Sequence, residues 1–229
     1  MNCLAIIPAR GGSKRLPRKN IIEFLGRPII AHTIEAALQS ACFSRVIVST
    51  DDVEIAEISA RYHHDWVMRP AALATDEARV ADVCEHLLRE EAEQGRTYDV
   101  LSVLYATAPL RTADDIRSVV SYVQSKKYTS AMAVTSYSLP VHQALICRDS
   151  GVEMVFPDIF FRRSNELPEY CVDNGSTYAV TTEFFLKAKE LTSPNLAVHM
   201  MPRSRSVDID TWDDYLLANC LAQKAEVER

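Results

Sequence analysis

The sequence predicts an α/β fold built on a mostly parallel, doubly wound sheet, and three observations carry that prediction. Short apolar runs rich in β-branched residues alternate with segments of helical periodicity, the rhythm of consecutive βαβ units. The first of these runs is apolar throughout rather than alternating, as a strand covered on both faces must be. Polar or cationic residues follow the runs directly, and open parallel sheets bind their ligands at the carboxyl ends of the strands.

Taken in order, residues 4–8 (Leu-Ala-Ile-Ile-Pro) read as the first strand. A basic loop follows, and residues 27–38 read as a helix that opens near Pro28. Residues 45–50 make a second strand, which delivers Ser49, Thr50, Asp51 and Asp52 at its end, and residues 54–62 a second helix. A helix over 80–94, a buried strand over 99–104 and a helix over 114–124, capped from Thr112, come next. Residues 130–135 are a further strand. The rhythm then changes: from Pro140 to Tyr170 the chain carries prolines, aromatics and paired arginines, with strand-like pieces only as short as 152–156. This stretch reads as an inserted arm, placed at 140–178 within a single domain of residues 1–229. A strand over 178–180, a helix over 182–190, a strand over 197–201, the motif Val207-Asp208-Ile209-Asp210 and a closing helix over 212–225 complete the chain. The sheet is expected to be mixed near its end.

Composition bounds the function. The chain has 229 residues with 31 Asp+Glu against 25 Lys+Arg, a net charge of −6 that argues against a general nucleic-acid binder. No apolar run approaches the length of a membrane helix, and the start lacks the pattern of a signal peptide, so a cytoplasmic protein is expected. The six cysteines show no paired spacing and read as reduced, mostly packing thiols. His63 and His64 are adjacent, share no face and read as surface residues.

Against this acidic background the loop after the first strand stands out. Ala9-Arg10-Gly11-Gly12-Ser13-Lys14-Arg15-Leu16-Pro17-Arg18-Lys19-Asn20 holds two glycines, a hydroxyl and five cations. Glycines let backbone N–H groups come close to a ligand, and crowded cations call for an anion. The loop matches neither the G-x-x-x-x-G-K-[ST] phosphate loop nor the G-x-G-x-x-G dinucleotide fingerprint. A nucleoside triphosphate is the expected anion. Near the other end, Asp208 and Asp210 are two apart, which puts both carboxylates on one face of an extended strand. That spacing suits a shared divalent cation, and it equally suits two solvent-facing acids ahead of a helix.

The loop resembles the signature of the nucleotidyltransferases that make CMP-activated nonulosonic acids: the CMP-sialic acid synthetases and their pseudaminic and legionaminic acid relatives. The likeness extends through most of the chain. It implies a Rossmann-like nucleotidyltransferase fold with an inserted dimerisation arm, a homodimer, and transfer of CMP from CTP to an acidic nine-carbon sugar. It carries over Arg10, Lys14 and Lys19 as catalytic phosphate and substrate contacts, and Ala9, Gly11, Gly12, Ser13, Asn20, Ser49, Arg69 and Thr75 as nucleotide-binding residues. The segment Ser206–Thr211 is similar to the family's metal-binding stretch, which implies that Asp208 and Asp210 hold Mg²⁺. Arg15 and Arg18 are left unassigned.

The sugar-facing motifs are mixed. Tyr105-Ala106-Thr107-Ala108-Pro109 and the arm segments Val152–Pro157 and Arg163-Ser164-Asn165 resemble pseudaminic acid cytidylyltransferases, whereas Asn174-Gly175-Ser176-Thr177-Tyr178 is nearer the sialate pattern. Tyr105, Thr107, Arg163, Asn174 and Tyr178 are therefore the sugar-binding candidates, with pseudaminic acid as the first choice of sugar and legionaminic or N-acetylneuraminic acid next. Two other readings stay open. One is an octulosonic acid (Kdo-type) cytidylyltransferase, against which the Gly11–Lys14 loop with Lys19 and Asn20 argues; the other is a non-catalytic sensor of CTP, which would not need an acidic pair.

Overall fold

A computed structural model describes residues 1–227. In chain order the elements are β1 (Cys3–Pro8), β2 (Glu23–Phe24), β3 (Arg27–Pro28), α1 (Ile29–Ser40), β4 (Arg45–Thr50), α2 (Val53–Ala60), β5 (Trp66–Met68), α3 (Val80–Glu93), β6 (Val100–Leu104), α4 (Ala113–Gln124), β7 (Ser130–Ser136), β8 (Leu145–Arg148), β9 (Gly151–Met154), β10 (Cys171–Thr181), α5 (Thr182–Ala188), β11 (Leu196–Met200) and α6 (Trp212–Val227). Seven strands form the central sheet in the order β11-β7-β10-β6-β1-β4-β5. Six run parallel, and β10 alone is antiparallel to both its neighbours. The expected α/β sheet is present, and its mixed character comes from this single strand.

Strands β1 and β6 are buried along nearly their whole length because helices cover both faces of the sheet. One face packs Ala5, Ile7, Val46 and Val48 against Ile30, Ile34, Ile116 and Val120 of α1 and α4. The opposite face packs Leu4, Ile6, Leu101 and Val103 against Val83 and Leu87 of α3 and Phe185 of α5. A third cluster lies at the carboxyl ends of the strands. There Leu16 of the basic loop meets Phe24, Ile29, Val207, Ile209 and Ala218 of α6, which fastens the loop to the body by an apolar anchor.

Three features differ from the sequence expectation. Strand β10 begins at Cys171, so the last residues assigned to the arm are sheet; it was foreshortened because Asp173, Asn174 and Gly175 break its apolar pattern at a bulge between its pairings with β7. The segment over 207–210 is extended but pairs with no strand. Half of the cysteines (Cys147, Cys171 and Cys220) are exposed rather than packing, although all six are free. The arm itself carries a small exposed hairpin, β8–β9, and it leaves and rejoins the sheet at one place, with Ser136 of β7 opposite Cys171 of β10. Among the described residues no helix is long and apolar enough to cross a membrane.

Helix α4 is tied to the sheet edge by Asp115. Burial pushes its carboxyl up, but hydrogen bonds from Arg205, Thr112 and His199 outweigh this and hold it at about 2. A depressed carboxylate stabilises the fold above its unfolded pKa of about 3.9 and loses that contribution as pH falls through about 2. We expect the wild-type unfolding free energy, measured by urea titration, to fall by roughly 2 kcal/mol more than that of Asp115→Asn between pH 5 and pH 2.

Candidate active site

The carboxyl ends of β1, β5 and β6 open on a cavity of about 550 Å³. Its wall brings together Arg10, Ser13, Lys14, Lys19 and Asn20 of the basic loop, Arg69 and Thr75 beyond β5, Tyr105 and Thr107 beyond β6, and Asp208 and Asp210 ahead of α6. Five cations line it (Arg10, Lys14, Arg15, Lys19 and Arg69) against three carboxylates (Asp76, Asp208 and Asp210), so the site is electropositive in an acidic protein. Arg15, unassigned from sequence, joins Lys19 on Asp210, and Asp76 bridges Arg10 at 2.8 Å and Lys14 at 2.5 Å. A polyanion entering the cavity meets cations already gathered by carboxylates.

The loop keeps its shape through internal bonds. The Asn20 side-chain amide donates to the Arg10 carbonyl at 2.8 Å, and Arg18 bonds Asp52, the cap of α2. The Gly11 N–H donates to Asp51 at 3.0 Å and the Ser13 N–H to the Gly11 carbonyl at 3.0 Å. Two of the three amides expected to face phosphate are thus used within the protein. Gly11 is needed for a different reason: a Cβ there would lie 2.4 Å from the Asp52 carboxylate. Gly12 is exposed and has open space around it.

Arg69 is buried, which pushes its guanidinium pKa down, and it donates to the Ser49 carbonyl. That carbonyl also accepts from the buried Ala9 N–H at 2.8 Å. The Ser49 hydroxyl lies off the cavity and without a hydrogen-bond partner, so Ser49 and Ala9 act through their backbones to seat Arg69 and the loop.

Asp208 and Asp210 face the cavity because Val207 and Ile209, alternating with them, are buried in the apolar cluster beneath. Burial pushes the Asp208 pKa up despite a hydrogen bond from Thr107, and nearby Asp210 pushes the same way. Burial also pushes Asp210 up, but Lys19 and Arg15 outweigh it and draw its pKa down. The Asp208 segment is held to the β6 loop by an Ile209 N–H to Thr107 C=O bond of 2.8 Å. From the other side Gly175 presses on it: a Cβ at Gly175 would come within 2.7 Å of the Asp208 carboxylate, and the residue has φ +64°.

The remaining sugar candidates are not on this wall. The Tyr178 hydroxyl donates to both oxygens of Asp173, at 2.7 and 2.6 Å, and its ring meets Tyr105 edge-on at 5.8 Å. Tyr178 thereby braces Tyr105, whose own phenol burial drives up to about 12. Asn174 is buried; its amide donates to Ser206 at 3.1 Å and its oxygen accepts from Ser176, so it fastens the Ser206–Asp210 segment to β10. Arg163 sits exposed in the arm, away from the cavity of its own chain. The sequence reading missed Gly175 and Arg111; the first lay unused inside the quoted Asn174–Tyr178 motif, and nothing in the Pro-Leu-Arg run marked the second as buried.

The described core of the chain, residues 4–184, matches the model of the cytidylyltransferase family. The chain belongs to that family. Among similar curated proteins are a pseudaminic acid cytidylyltransferase of Campylobacter jejuni, 34% identical over 96% of both chains, and a CMP-N,N'-diacetyllegionaminic acid synthase of Legionella pneumophila, 36% identical over 97% of both. An N-acylneuraminate cytidylyltransferase of Escherichia coli is 33% identical over 96% of this chain and 52% of its own length. The solved CMP:2-keto-3-deoxy-manno-octonic acid synthetase, complexed with CTP, superposes with a TM-score of 0.72 over 99% of both chains at 19% identity, a likeness of fold. This cytidylyltransferase is therefore a nucleotidyltransferase enzyme, with its cavity at the strand ends where such sheets bind ligands.

Gly175→Ala tests the packing around Asp208. The cytidylyltransferase should stay folded, with a loss of about 1–2 kcal/mol from the left-handed backbone. Its kcat should drop by about a hundredfold because the carboxylate is displaced, measured by steady-state kinetics beside a thermal melt.

Proposed function

We propose that this enzyme transfers the cytidylyl group of CTP to the anomeric hydroxyl of a nonulosonic acid and releases pyrophosphate. The observation that carries the reading is the meeting, in one cavity, of five cations, four from the basic loop and Arg69 beyond β5, with the desolvated carboxylate of Asp208. In this reading the sugar oxygen bonds to the α-phosphorus as the bond to the bridging α,β-oxygen breaks in line. Arg10, Lys14 and Lys19 stabilise the charge that builds on the departing pyrophosphate, and Asn20 holds the loop that carries them. Arg69, Ser13 and Thr75 border the nucleotide. Named relatives acting on three different sugars have similar identities, so overall identity does not choose among them. Tyr105 in its Tyr-Ala-Thr-Ala-Pro loop, which lines the cavity with Thr107, favours pseudaminic acid over legionaminic and N-acetylneuraminic acids.

Asp208 and Asp210 fit a magnesium ion. Among the described residues no group of three or more acidic, histidine or cysteine ligands could hold a metal alone. Mg²⁺ commonly takes one or two carboxylates and completes its shell with substrate phosphates and water. A carboxylate whose proton affinity is raised by desolvation and a neighbouring acid is also a site improved by an arriving cation. When bound there, the ion would neutralise phosphate charge and acidify the attacking hydroxyl.

The primary test is pyrophosphate release with CTP and Mg²⁺ against pseudaminic, legionaminic and N-acetylneuraminic acids. Release with pseudaminic acid is expected to dominate; no release with any of the three, from folded protein that binds CTP, would overturn the reading. Asp208→Asn should abolish release while leaving CTP affinity within a few-fold. It should also raise the melting temperature of the ligand-free enzyme at pH 7. The sign follows from the raised pKa: ionised Asp208 destabilises the empty fold above its folded value, and the penalty fades as pH falls through it toward the unfolded one.

The arm is proposed as a homodimer contact that carries Arg163 toward the partner's cavity. It exposes Leu145, Val152 and Phe161, the last at 84%, more apolar surface than a solvated hairpin calls for. Phe161→Glu should shift the mass measured by light scattering from dimer to monomer, and a wild-type monomer at micromolar concentration would count against the proposal.

A further inference from the structure

Among the described residues Arg111 is the most buried cation, and it has no part in the chemistry described so far. It is 4% exposed, and burial pushes its guanidinium down to about 9. Its nearest charged group of influence, Asp115, is taken by Arg205 and His199. What holds Arg111 is a set of neutral acceptors on three elements. One terminal nitrogen donates to the Ser176 carbonyl of β10; the other donates to the Thr33 hydroxyl of α1 at 2.7 Å and the Tyr105 carbonyl at 3.2 Å. The Nε has no partner among the described residues. A buried, unpaired cation is an expensive way to join three elements, and it is retained where the joint matters.

The joint lies directly behind Asp208. Ser176 follows Gly175, whose backbone presses on the Asp208 carboxylate. Tyr105 opens the loop in which the Thr107 carbonyl accepts from the Ile209 N–H and the Thr107 side chain bonds Asp208. The Tyr105 N–H itself donates to the Ser176 carbonyl at 3.1 Å, so Arg111 closes a ring of bonds around both backbone supports of the acidic pair. The phosphate-binding wall is built without it: Arg10, Lys14, Lys19 and Arg69 take their bonds from Asp76, Asp210 and Ser49.

We infer that Arg111 is a positioning residue for catalysis, a buried fork that sets where Asp208 sits relative to the bound triphosphate. The inference rests on the cytidylyl-transfer reading, so turnover by the wild-type enzyme is established first; absence of that turnover is a failure of the reading and not of this inference.

The experiment compares Arg111→Met, Arg111→Lys and a matched core control, Val119→Ala, a fully buried apolar position of α4 that forms no hydrogen bond with its side chain. Arg111→Met should lower kcat by about a hundredfold, as a displacement near 1 Å does, with KM for CTP changed less than about threefold. Arg111→Lys keeps the charge but not the planar fork, and should recover only part of kcat. Hydrogen exchange supplies a readout independent of activity: the Ile209 amide should exchange faster in both arginine variants and not in Val119→Ala. The inference is overturned if folded Arg111→Met keeps wild-type kcat, or if Val119→Ala at equal loss of melting temperature shows the same loss of kcat. It is also overturned if KM for CTP rises in step with the fall in kcat. Should Arg111→Met fail to fold, Arg111→Lys decides by the same criteria.

Discussion

Holding Asp208 against a backbone at the cavity wall is the constraint that organises this site. The carboxylate stands at the cavity wall, partial desolvation raises its proton affinity, and its nearest supports are a glycine that has no room for a side chain and a threonine one strand away. Neither support is adjacent in sequence. The bulge in β10, the loop after β6 and the extended segment before α6 must all be in place before the acid can stand where it does. In the proposed reaction this unfavourable charge would serve an arriving cation and phosphate, and strained or perturbed groups of this kind cluster at functional sites.

Much of the sheet and the electropositive loop was legible from the chain alone. Apolar runs such as residues 4–8 and 45–50 have little choice but to be buried strands, and a five-cation loop after the first of them follows the strand-end rule. The alternation of Val207 and Ile209 with Asp208 and Asp210 also foretold one shared face, although no neighbouring strand is needed to maintain it. What could not be read were contacts that depend on a second segment. Ser49 and Asn174 are polar residues beside the site, and sequence offers no way to tell that their hydrogen bonds are spent on Arg69, Ser206 and Ser176 rather than on a ligand. Tyr178 likewise gives its hydroxyl to Asp173. The burial of Arg111 is a tertiary property: an arginine after Pro109-Leu110 is ordinarily a surface residue.

The pairings inside the empty cavity show how a crowded set of cations is kept compatible with a folded state. Asp76 is shared by Arg10 and Lys14, and Asp210 by Lys19 and Arg15. The Asp76 pairs and the Arg15 pair are exposed and individually weak, so they hold those side chains in place without competing strongly against a polyanion, while Lys19 and Asp210 meet in a partly buried pair. Leu16, fully buried beneath them, supplies the fixed point from which the charged side chains extend.

The antiparallel insertion of β10 has a consequence for how enzymes of this plan diversify. Because Ser136 and Cys171 face each other across the sheet, the chain between them starts and finishes at a single doorway. Closing a longer or shorter loop across such a doorway changes the free energy only logarithmically with its length. The arm is therefore a cassette: it can be lengthened, shortened or exchanged without retuning the register of any strand. Whatever surfaces it carries are free to drift while the cavity at the strand ends, wired through the sheet, stays fixed.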